Sequence, residues 1–252
     1  MGGFLFLLIV QNLLGFDVFD PTFWGAFQHT LWQGFAGTLY YTAVVVPVGL
    51  GIGFAAGWAR VSSYRSLSWP VSVYVDLIRG IPPFVLALFA WLVIPELLPD
   101  QFNSQDTAIL FAALALAFHS GAYQAEIFRA GFQSVPRGQL EAAQALGMTK
   151  GAIMLSVILP QTFRLSLPPL ANEFATLLKD TSLLGALGAT EMLALGQEFN
   201  YQAVVVFGQL SWVFAVWAVV AALYFVLTFA VTRTLLFVEK WYRVPGMEGV
   251  TA

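Results

Sequence analysis

The stretch FAGTLYYTAVVVPVGLGIGFAAGWA, residues 35–59, is long, apolar and free of charged side chains. A membrane-spanning helix needs about 20 consecutive residues of this kind, because the hydrocarbon core of a bilayer is about 30 Å thick. The whole chain of 252 residues is 59% hydrophobic and only 10% charged, with a mean hydropathy of +0.77. A soluble domain typically carries about 25% charged residues. The sequence therefore predicts a membrane protein that contains this stretch as its first span.

Four further apolar stretches follow the first span along the chain. They lie at 80–99, at 107–125, at about 161–180 and within 204–232. Glu173 interrupts the stretch at 161–180, whereas the last stretch is uniformly apolar. Together the five stretches predict an all-α fold, a polytopic membrane helix bundle with five transmembrane helices.

Two other segments are expected to lie in the plane of the membrane rather than to cross it. Residues 23–35 place Phe23, Phe27 and Leu31 on one helical face, as an interfacial helix does. The segment 62–79 mixes charged and apolar residues just before the second span, and we expect it to form an interfacial elbow.

Small residues recur along the first span in a regular row. Gly49, Gly53 and Gly57 are spaced four residues apart, so they share one side of the helix. Rows of this kind let two membrane helices pack backbone to backbone. We predict a packing role for them and no chemical role.

The basic residues predict how the spans are oriented. Short cytoplasmic loops retain Lys and Arg, and ten of the eleven basic residues fall on one side of the predicted spans, Lys179 being the exception. These ten are Arg60, Arg65, Arg79, Arg129, Arg137, Lys150, Arg164, Arg233, Lys240 and Arg243. The opposite loops hold acidic residues, namely Asp17, Asp20, Glu96, Asp100, Asp106, Glu191 and Glu198. The N-terminus is therefore predicted outside and the C-terminus in the cytoplasm.

This topology divides the chain into three parts. Residues 1–34 form an extracytoplasmic or interfacial N-terminal segment, residues 35–243 the transmembrane domain, and residues 244–252 a cytoplasmic tail. Within the transmembrane domain, residues 129–160 form the largest cytoplasmic loop.

Composition and motifs argue against several classes of function. The chain has no cysteine, and His29 and His119 are far apart and form no HExxH motif, so a hydrolytic metal centre has little support. No phosphate-binding GxxxxGK[ST] motif occurs, and a net charge of only −3 argues against nucleic acid as a partner. We therefore expect no catalytic residues and no cofactor in this chain.

The large loop contains a polar helix-turn-helix, EAAQALGMTKGAIMLSVILPQ at 141–161. We predict a helix over about 139–146 with Glu141 in its first turn, where the helix dipole favours a carboxylate. Gly147 suits the left-handed position that ends a helix, and Thr149 can cap the next one. Leu159-Pro160 is expected to break that second helix before the fourth span. The sequence by itself also allows a surface helix with no function beyond connecting two spans.

The pattern of this loop resembles the signature loop of ATP-binding cassette (ABC) importer permeases. The match consists of the EAA triplet Glu141, Ala142 and Ala143, then Gly147, then the Ile158-Leu159-Pro160 triplet. In that family the loop is a coupling helix that docks into a cleft of a cytoplasmic ATPase subunit. The resemblance implies that Glu141, Ala142, Ala143, Leu146 and Gly147 contact the ATPase.

The resemblance covers about residues 35–243 and points to the polar amino acid uptake branch of these permeases. It is carried by DLIRGIPPFV (76–85), HSGAYQAEIFRAGFQSVPRGQLEAAQALGM (119–148) and LPQTFRLSLPPLANEFATLLKDTSLL (159–184). The Pro-Pro pair at 82–83 departs from the single proline expected there. A multi-pass protein of a prokaryotic plasma (inner) membrane, in contact with membrane lipid, is implied.

The resemblance also implies partners. ATP would be bound by two copies of a cytoplasmic ABC ATPase subunit. A second permease, identical or homologous, would complete the membrane part, and an extracytoplasmic binding protein would deliver the polar amino acid to the outer loops at 95–106 and 181–207.

Two polar stripes on the third and fourth spans could line a passage. Polar groups inside a bilayer are costly and usually face the protein interior or water. At 100° per residue, the members of each stripe fall within a common arc of their helix. The stripe on the third span contains His119, Ser120, Tyr123 and Glu126, and the stripe on the fourth contains Asn172, Glu173, Thr176, Lys179 and Asp180. Except for Glu126, which should lie near the inner surface, we take all of these residues as substrate-path candidates, together with Thr181 and Ser182.

An amino acid zwitterion needs donors for its carboxylate and acceptors for its ammonium group. Lys179, with Thr181 and Ser182, could serve the carboxylate, and Asp180 or Glu173 could serve the ammonium group. The alternative is an internal Lys–Asp or Lys–Glu pair that joins two helices, and His119 could simply be a packing residue.

Three functions are compatible with these features. The first is the permease subunit of an ABC importer of polar amino acids, which has no chemistry of its own. The second is an ion-coupled secondary carrier, although no internal repeat is visible and five spans do not divide into two halves. The third, an intramembrane enzyme that uses Glu126, His119 or Asp180, has no nucleophile motif to support it. We predict the first.

Overall fold

The computed structural model describes residues 20–241, with side chains through residue 238. All regular secondary structure in this part of the chain is helical, which confirms the predicted all-α fold. The helices are α1 (Pro21–Arg60), α2 (Arg65–Arg79), α3 (Pro83–Val93), α4 (Gln105–Gln133), α5 (Arg137–Ala145), α6 (Lys150–Ile153), α7 (Leu159–Asp180), α8 (Ser182–Gly185), α9 (Met192–Val205) and α10 (Trp212–Trp241). The predicted tail at 244–252 and most of the predicted segment at 1–34 lie outside the described residues.

Within residues 20–241, four helical bodies are long and apolar enough to cross a membrane. They are Pro21–Arg60, Gln105–Gln133, Lys150–Gly185 and Trp212–Val238. A fifth candidate is the pair Arg65–Arg79 and Pro83–Leu97, which is bent by 102°. The predicted number of five spans is reached when this bent pair counts as one span.

The second span is not the straight helix that was predicted over 80–99. Helix α3 has 11 residues and is about 16 Å long, which is too short to cross a bilayer about 30 Å thick. The chain turns sharply at Gly80–Pro82, because Pro82 and Pro83 lack the N–H groups that would continue α2. The segment predicted as an elbow forms helix α2, which meets α3 at this bend.

Helix α1 is a single rod of 40 residues, about 60 Å long. The Asp20 carboxylate caps its start by accepting from the Thr22 N–H at 2.9 Å. The prediction of a separate in-plane helix over 23–35 is wrong. Phe23 and Phe27 are buried against α9 and α10, with ring centroids 4.7 Å apart between Phe27 and Phe199 and 5.6 Å apart between Phe23 and Trp212. The apolar face that resembled an interfacial helix instead packs inside the protein.

The glycine row brings α1 into backbone contact with α4. A methyl group added at Gly53 would lie 2.4 Å from Gln124 Cβ, and one added at Gly57 would lie 2.8 Å from the Ala125 carbonyl oxygen. Such distances are shorter than real Cβ contacts, so the two helices can approach this closely only at glycine. The packing role predicted for the row is confirmed.

Replacing Gly53 with alanine is therefore expected to destabilise the protein by about 1–3 kcal/mol, because the Gln124 side chain or the α4 backbone has to move. Gly51→Ala is the matched control on the same helix, since no heavy atom lies within 4 Å of an added methyl group there. The control should gain up to about 1 kcal/mol of helix propensity. Thermal unfolding of the detergent-solubilised chain measures the stability of both variants. Shifts of the two variants in the same direction would contradict the packing role.

Helix α7 begins without the break that was predicted at Leu159-Pro160. A π-helical turn, Met154–Ile158, joins α6 to α7, and the Leu159 N–H bonds to the Met154 carbonyl five residues back. The wider turn accommodates Pro160, which has no N–H to donate. Side chains then satisfy neighbouring carbonyls, because Gln161 Nε2 donates to Val157 O at 2.9 Å and Thr162 Oγ1 donates to Ile158 O at 3.0 Å. The chain continues as one helical body.

Candidate functional site

The loop helix α5 ends in the way that its sequence predicts. Gly147 has a φ of +74°, in the left-handed region that favours glycine. The Gly147 N–H donates to Gln144 O at 2.9 Å and the Met148 N–H donates to Ala143 O at 3.1 Å, the two bonds of a Schellman motif. Thr149 then caps α6 by accepting from the Ala152 N–H at 3.3 Å. The predicted glycine end and threonine cap are both confirmed.

Two details of the predicted loop helix need correction. The helix begins at Arg137, so Glu141 is its fifth residue and lies beyond the first turn where the dipole acts most strongly. Ala143 is only 5% exposed and faces the rest of the chain. Its small side chain therefore serves packing within the chain, whereas Glu141 and Ala142 face outward.

The end of α5 projects from the bundle. Leu146 is 82% exposed, the highest exposure among the large hydrophobic side chains in the described part of the chain. Gln161 Nε2 of α7 donates to Gln139 Oε1 of α5 at 2.7 Å, which fixes the helix against the long span. An exposed leucine on a short, fixed helix can insert into a groove of another protein.

The two predicted polar stripes meet at one point. Ser120 Oγ of α4 donates to Glu173 Oε1 of α7 at 2.6 Å, and Gln124 Nε2 donates to Ser120 Oγ at 2.9 Å. Ser120 and Gln124 are almost completely buried. Gln124 was not selected from the sequence, although its position four residues after Ser120 places it on the same helical face.

His119 and Tyr123 lie on a different side of α4 and contact the bend between α2 and α3. The hydroxyl of Tyr123 donates to Arg79 O at 3.3 Å, and the His119 ring hydrogen-bonds to the backbone of Ile81. These two backbone groups lie at the turn between α2 and α3. The side chains therefore satisfy polar backbone that the break exposes, and they do not face Glu173 as a single stripe would require.

Helix α7 presents a polar face to the outside of the isolated chain. Asn172, Thr176 and Lys179 are exposed and follow at spacings of four and three residues, so they share one face. Glu173 and Asp180 flank this face and are partly buried. Amide, hydroxyl and ammonium groups are rarely exposed to lipid tails. This face therefore needs another protein chain or a water-filled path against it.

Lys179 and Ser182 also border a cavity of about 420 Å³ between α7, α9 and α10. Its other lining residues are mostly apolar, namely Leu193, Trp217, Val220, Ala221 and Tyr224. Thr181 differs from its neighbours, because it is fully buried and its hydroxyl donates to Leu178 O at 2.7 Å. Lys179 and Ser182 are therefore accessible to a ligand in this cavity. The Thr181 hydroxyl is not, because it is hydrogen-bonded to the backbone of its own helix.

The alternative role of Lys179 as an internal ion-pair partner is not supported. In the described part of the chain, the ion pairs within 4 Å join Glu126 to Arg60 and Arg129, and Arg60 to Asp76. Lys179 takes part in none of them, so its ammonium group is available to a ligand or a partner.

A buried carboxylate that sequence reasoning missed lies next to this cavity. Glu191 is 0% exposed and accepts from the Leu193 N–H at 2.8 Å, the Ala194 N–H at 2.6 Å and the Tyr224 hydroxyl at 2.7 Å. Burial raises the pKa of Glu191, and these hydrogen bonds partly oppose that rise. The Thr38 hydroxyl accepts from the Met192 N–H at 3.1 Å, so α1, α9 and α10 are joined here. A glutamate just before an apolar helix was the available signal.

A helix bundle with a polar intramembrane face and a projecting loop helix has the features of a membrane transport component. The chain matches, over residues 48–244, the family described as the binding-protein-dependent transport system inner membrane component, and it belongs to this family. It is a multi-pass protein of the bacterial inner membrane. The family works with a binding protein and an ATPase, so the alternative of an ion-coupled carrier is not favoured.

Several curated relatives are similar over most of the chain. The L-cystine transport system permease protein TcyB of Bacillus subtilis (strain 168) is 35% identical over 197 residues, which is 77% of this chain and 82% of that protein. The probable glutamine ABC transporter permease protein GlnM of the same organism is 32% identical over 82% of this chain and 91% of its own length. The glutamate/aspartate import permease protein GltK of Escherichia coli O157:H7 is 35% identical over 64% of this chain and 73% of its own length.

Solved structures share the fold. A crystal structure of an amino acid ABC transporter with histidines superposes with a TM-score of 0.71 at 31% identity, covering 85% of this chain and 94% of that one. The inward-facing MetNI methionine ABC transporter superposes with a TM-score of 0.70 over 89% of this chain and 99% of that one. At 20% identity the second likeness shows the fold alone.

Proposed function

We propose that this chain is the permease subunit of an ABC importer that moves a polar amino acid into the cytoplasm. ATP is hydrolysed in a separate ATPase subunit that docks on α5. The relatives described above are named for cystine, glutamine, and glutamate or aspartate. These amino acids share a free carboxylate and an ammonium group, and they differ in the side chain. The permease is therefore expected to recognise the carboxylate and ammonium groups that these substrates share.

The observation that carries this proposal is the projecting end of α5. Leu146 is 82% exposed, and the Schellman motif at Gly147 holds it in a fixed direction. The outward Glu141 and Ala142 lie on the same short helix. A rigid helix with one large apolar side chain is suited to a groove on the ATPase. Movement of that groove then displaces the permease.

The polar face of α7 supports the transport path. Lys179 supplies a cation for the substrate carboxylate, and Glu173 or Asp180 supplies an acceptor for the ammonium group. Asn172 and Thr176 continue the same face. A second permease, identical or homologous, covers this face and encloses the path, since lipid cannot solvate it.

The complete assembly contains further subunits. Two ATPase subunits bind the two coupling helices, and an extracytoplasmic binding protein delivers the amino acid to the loops at 95–106 and 181–207. The predicted orientation, with the N-terminus outside and the C-terminus in the cytoplasm, places α5 on the ATPase side. The permease itself carries out no chemistry.

Co-purification from native membranes tests this proposal. A tagged wild-type chain, solubilised in mild detergent, is expected to bring down an ATPase subunit in stoichiometric amount. Leu146→Arg should reduce the recovered ATPase about tenfold or more, because a charge replaces the apolar contact at the centre of the interface. Leu97→Arg is the matched control, since Leu97 is 77% exposed but lies in the turn after α3, away from α5.

The control should retain the ATPase at the wild-type level. A wild-type chain that purifies without an ATPase would refute the importer proposal. Equal loss in both variants would show that α5 is not the docking element.

A further inference from the structure

Glu126 of α4 is held by two arginines at the end of the bundle that carries the α5 loop. Arg60 Nη1, at the end of α1, donates to Glu126 Oε2 at 2.7 Å. Arg129 donates through Nε to the same oxygen at 3.0 Å and through Nη2 to Oε1. Arg60 also approaches Asp76 of α2, with Nη2 3.5 Å from Oδ1. One carboxylate therefore joins α1 to α4, and Arg60 extends the connection to α2.

This cluster lies where α4 leads into the loop at 129–160, which carries α5 and is called the coupling loop. Arg129 Nη1 donates to Gln133 Oε1 at 2.6 Å, and Gln133 is the last residue of α4. Helix α5 begins four residues later, at Arg137. This short connection is one route by which a displacement of α5 reaches the bundle, beside the contact of α5 with α7.

Backbone packing at the same level makes the connection stiff. A methyl group added at Gly57 would lie 2.7 Å from Phe128 Cβ and 2.8 Å from Ala125 O, so α1 and α4 are in direct backbone contact beside Glu126. From there α1 continues unbroken to Phe23, which packs against α9 and α10. Helix α1 therefore connects the start of the coupling loop to the opposite end of the molecule.

The ion pairs of this cluster differ in how much they contribute to holding the helices together. The side chains of Arg60 and Glu126 are 12% and 29% exposed, so both are largely removed from water. Removing Glu126 would leave the poorly solvated Arg60 with only the more distant Asp76 as a partner. The Asp76 side chain is 67% exposed, and an exposed pair of this kind contributes little. Glu126 is therefore the member on which the cluster depends.

We propose that Glu126 is the positioning residue that transmits movement of the coupling loop to α1 and α2. This inference rests on the proposed docking of an ATPase on α5. Glu126 itself touches neither nucleotide nor substrate. Without its carboxylate, α5 still follows the ATPase, but α1 and α2 follow α5 less closely, and more ATP is hydrolysed for each amino acid transported.

The test measures the amino acid transported per ATP hydrolysed by the purified complex in proteoliposomes, with its binding protein present. L-glutamine, L-glutamate and L-cystine serve as labelled probes, and the one that the wild type transports best is used. Glu126→Gln is expected to lower this ratio about tenfold, while the ATPase still co-purifies and basal ATP hydrolysis stays within about twofold. Arg65→Gln is the matched control, because it also replaces a charged side chain with glutamine, at an exposed residue of α2 that takes part in none of the ion pairs of the described residues, and it should leave the ratio unchanged.

A merely structural role would lower assembly, uptake and hydrolysis together and leave the ratio constant. Arg60→Gln combined with Glu126→Gln should lower the ratio no further than Glu126→Gln alone, because Glu126→Gln already removes the interaction with Arg60. Should Glu126→Gln fail to assemble, Glu126→Asp tests the same point, since it keeps the charge but shortens the reach by about 1.5 Å.

An unchanged ratio in Glu126→Gln, or in Glu126→Asp if that variant is used, overturns the inference and leaves the importer proposal intact. A ratio that falls equally in Arg65→Gln also overturns it. Failure of the ATPase to co-purify with the wild type would refute the proposed function itself, so the two failures are distinguishable.

Discussion

Replacing Gly147 with valine is expected to lower amino acid uptake about 5- to 30-fold, which corresponds to about 1–2 kcal/mol. Gly147 has a φ of +74°, and a β-branched residue in that conformation brings Cβ too close to the backbone. The Schellman bonds from Gly147 and Met148 that end α5 would be lost or weakened, and Leu146 would no longer be held in one direction. Initial uptake rates of labelled L-glutamine, L-glutamate and L-cystine, at equal expression of the variants, measure the effect.

Gly151→Val is the control for this prediction. Gly151 lies on the same loop, has open space around an added side chain and has no positive φ. Valine there adds bulk to the loop without demanding a left-handed backbone, so uptake should stay close to that of the wild type. If Gly151→Val is as harmful as Gly147→Val, bulk on the loop matters rather than the direction of Leu146. Normal uptake by Gly147→Val would contradict the coupling role of this turn.

Lys179→Met is expected to lower uptake about 10- to 150-fold, because a hydrogen bond to a charged group contributes about 1.5–3 kcal/mol. Methionine keeps much of the length of the side chain but removes the cation that would bind the substrate carboxylate. Removing a charge from a membrane helix does not oppose insertion, so assembly with the ATPase should be preserved. The concentration dependence of uptake in proteoliposomes distinguishes weaker substrate binding from a slower maximal rate.

Lys179→Arg is the informative companion variant. It retains a positive charge but replaces a compact ammonium group with a planar fork, so we expect it to keep more uptake than Lys179→Met at every substrate concentration. A fall in thermal stability together with unchanged transport per folded molecule would assign Lys179 to packing. Equal uptake by the wild type and Lys179→Met would remove Lys179 from the path.

Local sequence was sufficient for several features of the site. Gly147 and Thr149 ended and capped helices as predicted, because a Schellman motif and a threonine cap use hydrogen bonds between residues no more than five positions apart. The apolar stretches located the spans for a similar reason, since the need to bury about 20 apolar residues is a property of each segment by itself. The glycine row of α1 was also readable, because only glycine permits backbone contact.

The sequence was less successful in predicting which neighbouring element each side of a helix contacts. The sequence grouped His119, Tyr123 and Ser120 in one stripe, yet two of them support the bend between α2 and α3 while Ser120 bonds to Glu173. Adjacent positions differ by about 100°, so a wide arc can face two different neighbours. The positions of those neighbours are set by contacts far apart in the sequence, such as that between Ser120 and Glu173.

The sequence by itself determined the class of this protein, the approximate positions of its membrane spans, its family and the C-terminal end of its loop helix. Only the tertiary structure showed that Phe23 and Phe27 are buried, that a π-helical turn accommodates Pro160, and that the Glu191 side chain is buried. Each of these depends on a surface or a space supplied by a distant part of the chain. For Phe23 and Phe27 that surface is α9 and α10, and for Glu191 it includes Tyr224. Periodicity shows that a face is apolar or polar, but packing determines whether lipid, water or protein lies against it.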